Sequence, residues 1–121
     1  MPAQLREAID QAMKTQAELV SATRPGSNYD ERELVRLRGR FQKEMLSISH
    51  LSSSDSALRA QPDKFAEFNQ RHGEIRDQLY RHQAKWMLRE IERDWDGYSA
   101  ATMALRKAQD DFFTWAKTAV V

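Results

Sequence analysis

Cysteine is absent from this chain of 121 residues, and proline and glycine are scarce, with three and four residues respectively. Without cysteine the chain has no disulfide, no thiolate zinc site and no cysteine nucleophile. Apolar runs stay far below the roughly 20 residues that a membrane-spanning helix needs. The N-terminal residues lack the basic segment and apolar core of a cleavable signal peptide. We therefore expect no membrane association and a cytoplasmic location, with export by a route that needs no cleavable signal still open.

The charges of the chain are nearly balanced, with 19 Lys and Arg against 18 Asp and Glu, which gives a net charge of +1. This balance alone favours neither nucleic acid nor an acidic partner. Hydrophobic residues make up 40% of the chain and charged residues 31%, which is typical of amphipathic helices with wet outer faces. The length predicts a single domain over residues 1–121.

Apolar residues recur at alternating steps of three and four through the second half of the chain. This spacing keeps side chains on one face of an α-helix and is typical of helical bundles and coiled coils. The first ladder consists of Phe65, Phe68, His72, Ile75, Leu79, His82 and Trp86, and the second contains Ala84, Leu88, Ile91, Trp95, Tyr98, Thr102, Leu105, Gln109, Phe112, Ala116 and Ala119. The fold prediction is all-α, an elongated and mainly antiparallel bundle of three to four amphipathic helices with coiled-coil-like packing.

Helices are predicted at about 3–23, 29–48, 62–94 and 98–119, with a Ser-rich loop at about 47–61. The first ends where Pro25 and Gly26 interrupt it, and the second starts at about Tyr29, with Asn28 as its cap. Serine hydroxyls compete for backbone groups, which favours a loop. Pro62 begins the third helix.

The two ladders are out of phase, so the core face turns by more than 90° between Leu79 and Leu88. Either the third helix packs on different neighbours in its two halves, or it bends there. Gly97 and the Asp residues beside it favour a break before the last helix. However, the second ladder keeps its phase through Gly97, so a continuous helix stays open as an alternative.

No catalytic residues, metal site or cofactor are predicted. His50, His72 and His82 have neither a Glu three residues earlier nor a second His four residues away, the spacings of metal sites in helical proteins. Phosphate-binding glycine loops and serine-nucleophile motifs are also missing. An enzyme is the third functional hypothesis, and an aromatic-free basic pocket enclosed between helices would be its structural sign.

Aromatic residues are concentrated near the C-terminus, where they predict a protein-binding surface because Trp and Tyr are favoured anchors of interfaces. The set comprises Trp86, Trp95, Tyr98, Phe112, Phe113 and Trp115. Its simpler explanation is a core inside one chain. The leading hypothesis is a non-enzymatic interaction module, such as a small chaperone, adaptor or inhibitor. It would bind a partner helix or a second copy of itself.

Basic residues form two stripes at helical spacing, and they support an alternative function in binding nucleic acid or another polyanion. The stripe on the second helix contains Arg32, Arg36, Arg40 and Lys43, and that on the third contains Arg81, Lys85, Arg89 and Arg93. Cations beside Trp86 suit phosphate contacts combined with base stacking. An ordinary solvent-exposed helix face explains the same pattern.

Overall fold

The computed structural model describes residues 3–24, 26 and 28–119, and within them the chain is helical without any strand. The predicted all-α class is confirmed. Six helices are present instead of three to four: α1 Ala3–Ala22, α2 Glu31–Ser54, α3 Ser56–Arg59, α4 Pro62–Lys85, α5 Leu88–Arg93 and α6 Trp95–Ala119. The two extra helices, α3 and α5, are short and lie in the connections between long ones.

The turn between α1 and α2 uses a glycine in a left-handed conformation and an aspartate cap. Gly26 has a φ of 86°, a value that a residue with a side chain rarely adopts. The Asp30 carboxylate then accepts a hydrogen bond from the Glu33 N–H at 3.1 Å and caps α2. The predicted cap at Asn28 is therefore wrong by two residues, and Pro25 lies outside the described residues.

The predicted Ser-rich loop is wrong over its first half, because α2 continues to Ser54. The hydroxyls of Ser52 and Ser53 donate to the carbonyl of Ser49 at 3.0 and 2.9 Å, so they bond to the preceding helical turn without breaking it. Helix α2 ends at Ser54, and the carboxylate of the following residue, Asp55, accepts from the Leu58 N–H at 3.0 Å and caps α3.

The predicted third helix is interrupted once, between α4 and α5. Helix α4 begins at Pro62 as expected and ends at Lys85, and the break at Trp86 and Met87 explains the change of phase between the two ladders. A second break falls at Asp94, directly before α6 and within the predicted region from Asp94 to Gly97, and α6 continues through Gly97. Asp94 accepts a hydrogen bond from the Gly97 N–H at 3.0 Å and caps α6.

Contacts near both ends show that α1 and α6 run in opposite directions. Lys117 of α6 meets Asp10 of α1 at 2.7 Å, while Ser99, near the start of α6, donates to the carbonyl of Thr23 beyond the end of α1. Phe68 and Phe112 join α4 to α6 with ring centroids 5.4 Å apart. The largest fully buried side chains come from all four long helices and both short ones: Leu5, Ile9, Leu37, Phe41, Met45, Ile48, Leu58, Phe68, Ile91, Tyr98 and Phe113.

Candidate functional site

Four of the six aromatic side chains predicted to bind a partner lie inside the chain's own core. Trp86 is 8% exposed, Tyr98 1%, Phe112 3% and Phe113 0%. Rings buried in this way contribute large apolar areas to folding. In this fold they leave almost no surface for another molecule to contact.

Trp95 and Trp115 are partly exposed, and they lie at opposite ends of α6. Trp95 packs edge-on against Tyr29, with ring centroids 5.7 Å apart. The guanidinium of Arg71 covers Trp115 at 4.6 Å from the ring centroid, a cation–π contact. Since the two rings are separated by almost the whole helix, the six aromatic residues do not form one continuous surface.

Two of the four residues in the basic stripe on α2 are paired with acids of the same chain. Arg36 bonds Glu33 one turn earlier, and Arg40 bonds Glu18 of α1. Arg32 and Lys43 are exposed and make no ion pair within the described residues. The pairs reduce the positive field that a phosphate backbone would meet.

The second basic stripe is divided by the helix break, so the predicted single face is wrong. Arg81 belongs to α4 and pairs with Asp77 at 2.7 Å. Arg89 and Arg93 belong to α5, and both contact Glu90, at 3.8 and 3.6 Å. Lys85 at the end of α4 approaches the ring of Trp86, with Nζ 5.6 Å from its centroid.

A surface groove runs between α4 and α6, and one of its walls carries positive charge. We call it the α4–α6 groove, and it is shallow and open to solvent. Among the side chains that line it, Arg81 and Lys85 are cations and none is acidic. Its lining consists of Gln78, Arg81, His82, Lys85, Trp86, Ala101, Ala104, Leu105 and Ala108.

The spacing of the groove residues follows from helix geometry on both sides. Gln78, Arg81, His82 and Lys85 stand at positions i, i+3, i+4 and i+7 of α4, and the four residues on α6 repeat the same steps. Three of the α6 residues are alanines, whose short side chains leave the helix backbone close to the surface. Trp86 closes the wall at the end of α4.

A second feature, which we call the polar cavity, lies among all four long helices. It has a volume of about 30 Å³, which suffices for one or two water molecules. Its wall contains two arginines and no carboxylate. The lining residues are Gln16, Leu19, Val20, Arg38, Phe41, Leu79, His82, Gln83, Tyr98, Thr102, Leu105, Arg106 and Gln109.

Hydrogen bonds across the polar cavity connect helices that are distant in sequence. Gln16 of α1 donates from Nε2 to Oε1 of Gln109 in α6 at 2.8 Å, and this bond is buried. Arg38 donates from Nη2 to the backbone carbonyl of Gln83 at 3.0 Å. Arg106, by contrast, forms an ion pair within its own helix, through Nε with Asp110 one turn further along α6, at 3.4 Å.

His82 stands between the groove and the polar cavity and lines both. Its ring stacks on that of Tyr98 at a centroid distance of 5.5 Å. Burial, together with the positive charges of Arg38 and Lys85, lowers the pKa of His82 to about 4. His82 is therefore neutral at pH 7 and adds no charge to either feature.

Sequence reasoning missed most of the residues that build these two features. Arg38 and Arg106 lie outside the predicted stripes, and alanines carry no chemical signal. The sequence did contain one indication of a polar interior: Thr102 and Gln109 occupy positions of the second ladder, which is otherwise apolar. Polar residues are unusual on the buried face of a helix. A polar site inside the protein explains those positions.

No three His, Asp or Glu side chains in the described part converge on a point where they could hold a metal ion. None of the helices found there combines the length and the apolar character required to cross a membrane.

Comparisons with protein-family models, curated proteins and solved structures found no match to this chain.

Proposed function

We propose that the protein is a non-enzymatic interaction module that binds an acidic amphipathic helix of another protein in the α4–α6 groove. The four long helices would form an elongated antiparallel bundle with coiled-coil-like packing, whose surface supplies this groove. The observation that carries the proposal is the composition of the groove, a floor of small apolar residues beside cations, without any acid in the lining.

Shape supports a helix as the occupant. The segment from Ala101 to Ala108 extends about 10 Å at 1.5 Å per residue, which matches two turns of a partner helix. Alanines let a second helix approach closely, because little side-chain volume separates the two backbones. Apolar side chains of the partner would meet Leu105 and the alanines beside it, as in other complexes in which a helix lies in a groove.

Charge supports an acidic partner. Arg81 is 78% exposed, and its pair with Asp77, itself 58% exposed, is a surface ion pair that contributes little to stability. A carboxylate of the partner can therefore replace Asp77 at small cost. Lys85 supplies a second cation one turn further along α4. Such charges at the rim chiefly accelerate association and select the partner.

The size of the groove implies a transient complex. Two helical turns bury less surface than the roughly 1,200 Å² at which stable interfaces begin. We therefore expect an affinity in the micromolar range that decreases as salt screens the cations. This behaviour suits a regulatory adaptor or inhibitor better than a permanent subunit.

The proposal is tested by affinity capture from native lysate in the presence of nuclease, with quantification by mass spectrometry. The expected result is one protein enriched by the wild type over a control without bait and lost with the double variant Arg81→Glu, Lys85→Glu. Arg89→Glu, a charge reversal on α5 outside the groove, is the control and should retain the partner. Equal recovery of the partner by all three baits would refute binding in the α4–α6 groove.

Two further results of the same capture would replace the proposal. Material recovered only when the capture is repeated without nuclease would indicate nucleic-acid binding through Arg32 and Lys43, the cations of the α2 stripe that lack ion pairs within the described residues. A bait recovered alone, combined with concentration-dependent mass in sedimentation, would identify a second copy of this chain as the occupant.

A further inference from the structure

A small pocket lies where the start of α1 meets the junction of α2 and α3. We call it the junction pocket, and its volume is about 110 Å³. Its polar groups are a carboxylate, two hydroxyls and an amide, and no Lys or Arg side chain lines it. The lining consists of Gln4, Leu5, Leu51, Ser54, Asp55 and Ser56. The charge in this wall is therefore negative.

Asp55 is a buried carboxylate with one oxygen that lacks a partner. The side chain is 5% exposed, and its Oδ1 accepts a hydrogen bond from the Leu58 N–H at 3.0 Å, the bond that caps α3. Its Oδ2 is fully buried and has no hydrogen-bond partner in the described residues. Oxygens of this kind are rare in folded proteins, and a bound water molecule or ion is one explanation for them.

The charge of Asp55 distinguishes between a water molecule and an ion. Its carboxylate forms no ion pair in the part of the chain that the structure describes. Arg59, the nearest cation in sequence, lies one turn further along and is exposed. A water molecule would satisfy Oδ2 but would leave the negative charge uncompensated, which is unfavourable for a group withdrawn from water. The junction pocket therefore favours a cation.

The surroundings of the junction pocket also favour positive charge. Helix α2 ends at Ser54, and the C-terminal end of a helix carries a partial negative charge. A neighbouring depression on α1 shares two lining residues with the pocket, and its lining contains Glu7 and Asp10 but no Lys or Arg. Asp10 pairs with Lys117, whereas Glu7 forms no ion pair within the described residues. A cation thus approaches the pocket past acidic groups.

We propose that the junction pocket binds a monovalent metal ion, sodium or potassium, with Asp55 as its charged ligand. Hard cations prefer oxygen ligands, and the lining offers the amide oxygen of Gln4 and the hydroxyls of Ser54 and Ser56. A divalent ion suits the pocket less well, because one carboxylate neutralises only half of its charge. The inference does not depend on the α4–α6 groove.

The volume of the junction pocket agrees with such an ion. A water molecule takes about 30 Å³ in the liquid, so 110 Å³ accepts an ion together with part of its hydration shell. Oδ2 is covered in the structure, and binding requires the carboxyl group to turn about its Cβ–Cγ bond. This torsion is broad in aspartate, so Oδ2 can reach the ion while α3 stays capped.

The test is a titration of ¹⁵N-labelled protein in which sodium or potassium chloride replaces tetramethylammonium chloride at constant ionic strength. The backbone amide resonances of residues 54–56 are followed by NMR, and the thermal midpoint is followed by circular dichroism. We expect saturable shifts of these resonances with sodium or potassium. We also expect a midpoint about 4 °C higher when the ion is at ten times its dissociation constant.

Asp55→Asn removes the charge and keeps the cap, because Asn and Asp are about equally good at the start of a helix. This variant should fold and lose both responses to the ion. Asp30→Asn is the matched control, since Asp30 caps α2 in the same way but is exposed, and it should respond like the wild type. If Asp55→Asn does not fold, Ser54→Lys replaces it, because an ammonium group beside Asp55 should also abolish the response.

Three results would overturn the proposal. The first is the same midpoint and the same spectrum in all three salts. The second is an ion response that Asp55→Asn retains. The third is a saturable shift with calcium chloride and none with sodium or potassium, which would show that the ion is divalent.

Discussion

At the residue scale, His72 couples stability to pH. It is 2% exposed, and burial, assisted by the charge of Arg76, lowers its pKa from 6.5 to about 4. Between pH 4 and 6.5 the unfolded chain binds more protons at this residue than the folded one, so stability falls as the pH decreases through this range. The stabilisation from the neutral ring is fully present above about pH 6.5.

We therefore expect the free energy of unfolding to be lower at pH 5 than at pH 7.5, with His72 contributing on the order of 2 kcal/mol to the difference. Urea unfolding of the wild type and of His72→Gln at both pH values measures this contribution. In the variant the difference should shrink by that amount. An identical difference in both proteins would show that His72 is not the group responsible.

Phe113 shows how much the packing of a single side chain contributes to stability. The sequence suggested it as a partner-binding anchor, but the ring is fully buried. Phe113→Ala should lower the free energy of unfolding by about 3–5 kcal/mol through loss of contacts and formation of a cavity. Thermal unfolding of Phe113→Ala beside Trp95→Ala, a partly exposed position, checks this. The two variants should differ clearly, and equal small losses would contradict the burial.

Buried positions within a helix were predictable because periodicity depends on local geometry alone. The first ladder placed Phe68, His72, Ile75 and Leu79 on one face of a helix, and all four are buried. Periodicity could not assign the aromatic residues to a core or to an interface, since both uses need the same spacing. That distinction depends on which helix lies opposite, which is a long-range property.

At the scale of single elements, helix ends depend on which polar group bonds the backbone. Asp94 caps α6 through the Gly97 N–H, and a Cβ at Gly97 would lie 2.2 Å from Asp94 Oδ2. An alanine there would displace the cap. Gly73, inside α4, has no atom within 4 Å of the same position.

Replacing each of these two glycines by alanine should change the free energy of unfolding differently. Gly73→Ala should raise the free energy of unfolding by about 0.5–1 kcal/mol, because glycine is a poor interior residue of a helix. Gly97→Ala gains the same propensity but loses a cap that contributes about 1 kcal/mol, so its net effect should be close to zero or destabilising. Urea unfolding compares the two, and equal stabilisation would contradict the role of Asp94.

Helix starts at proline were easier to predict than helix ends at serine. The backbone N–H groups in the first turn of a helix have no acceptor within the helix, so proline loses nothing there by lacking one. Pro62 therefore marks a helix start directly. Serines at 52–54 can either leave a helix or bond back to it, and only the packed structure decides between these outcomes. The break at Trp86 and Met87 was visible as a change of phase, but its exact place was not.

At the scale of the whole molecule, surfaces arise from residues that are unremarkable in sequence. Ala101, Ala104 and Ala108 become a groove floor only because α4 lies beside α6, and Arg38 and Gln109 share a cavity because four helices converge. Charge counts could not reveal either feature, since most of the predicted basic stripes are paired with acids. The interaction module stays a prediction, and four of the six aromatic residues expected to form its surface are buried in the core.

The measurement that tests the α4–α6 groove most directly compares Ala104→Arg with Ala66→Arg. Both replace an exposed helical alanine by the same long side chain, but only Ala104 lies in the groove. Partner recovery from lysate under nuclease should fall at least tenfold for Ala104→Arg and stay unchanged for Ala66→Arg, while circular dichroism shows both proteins folded. Equal recovery by the two folded variants would contradict the account.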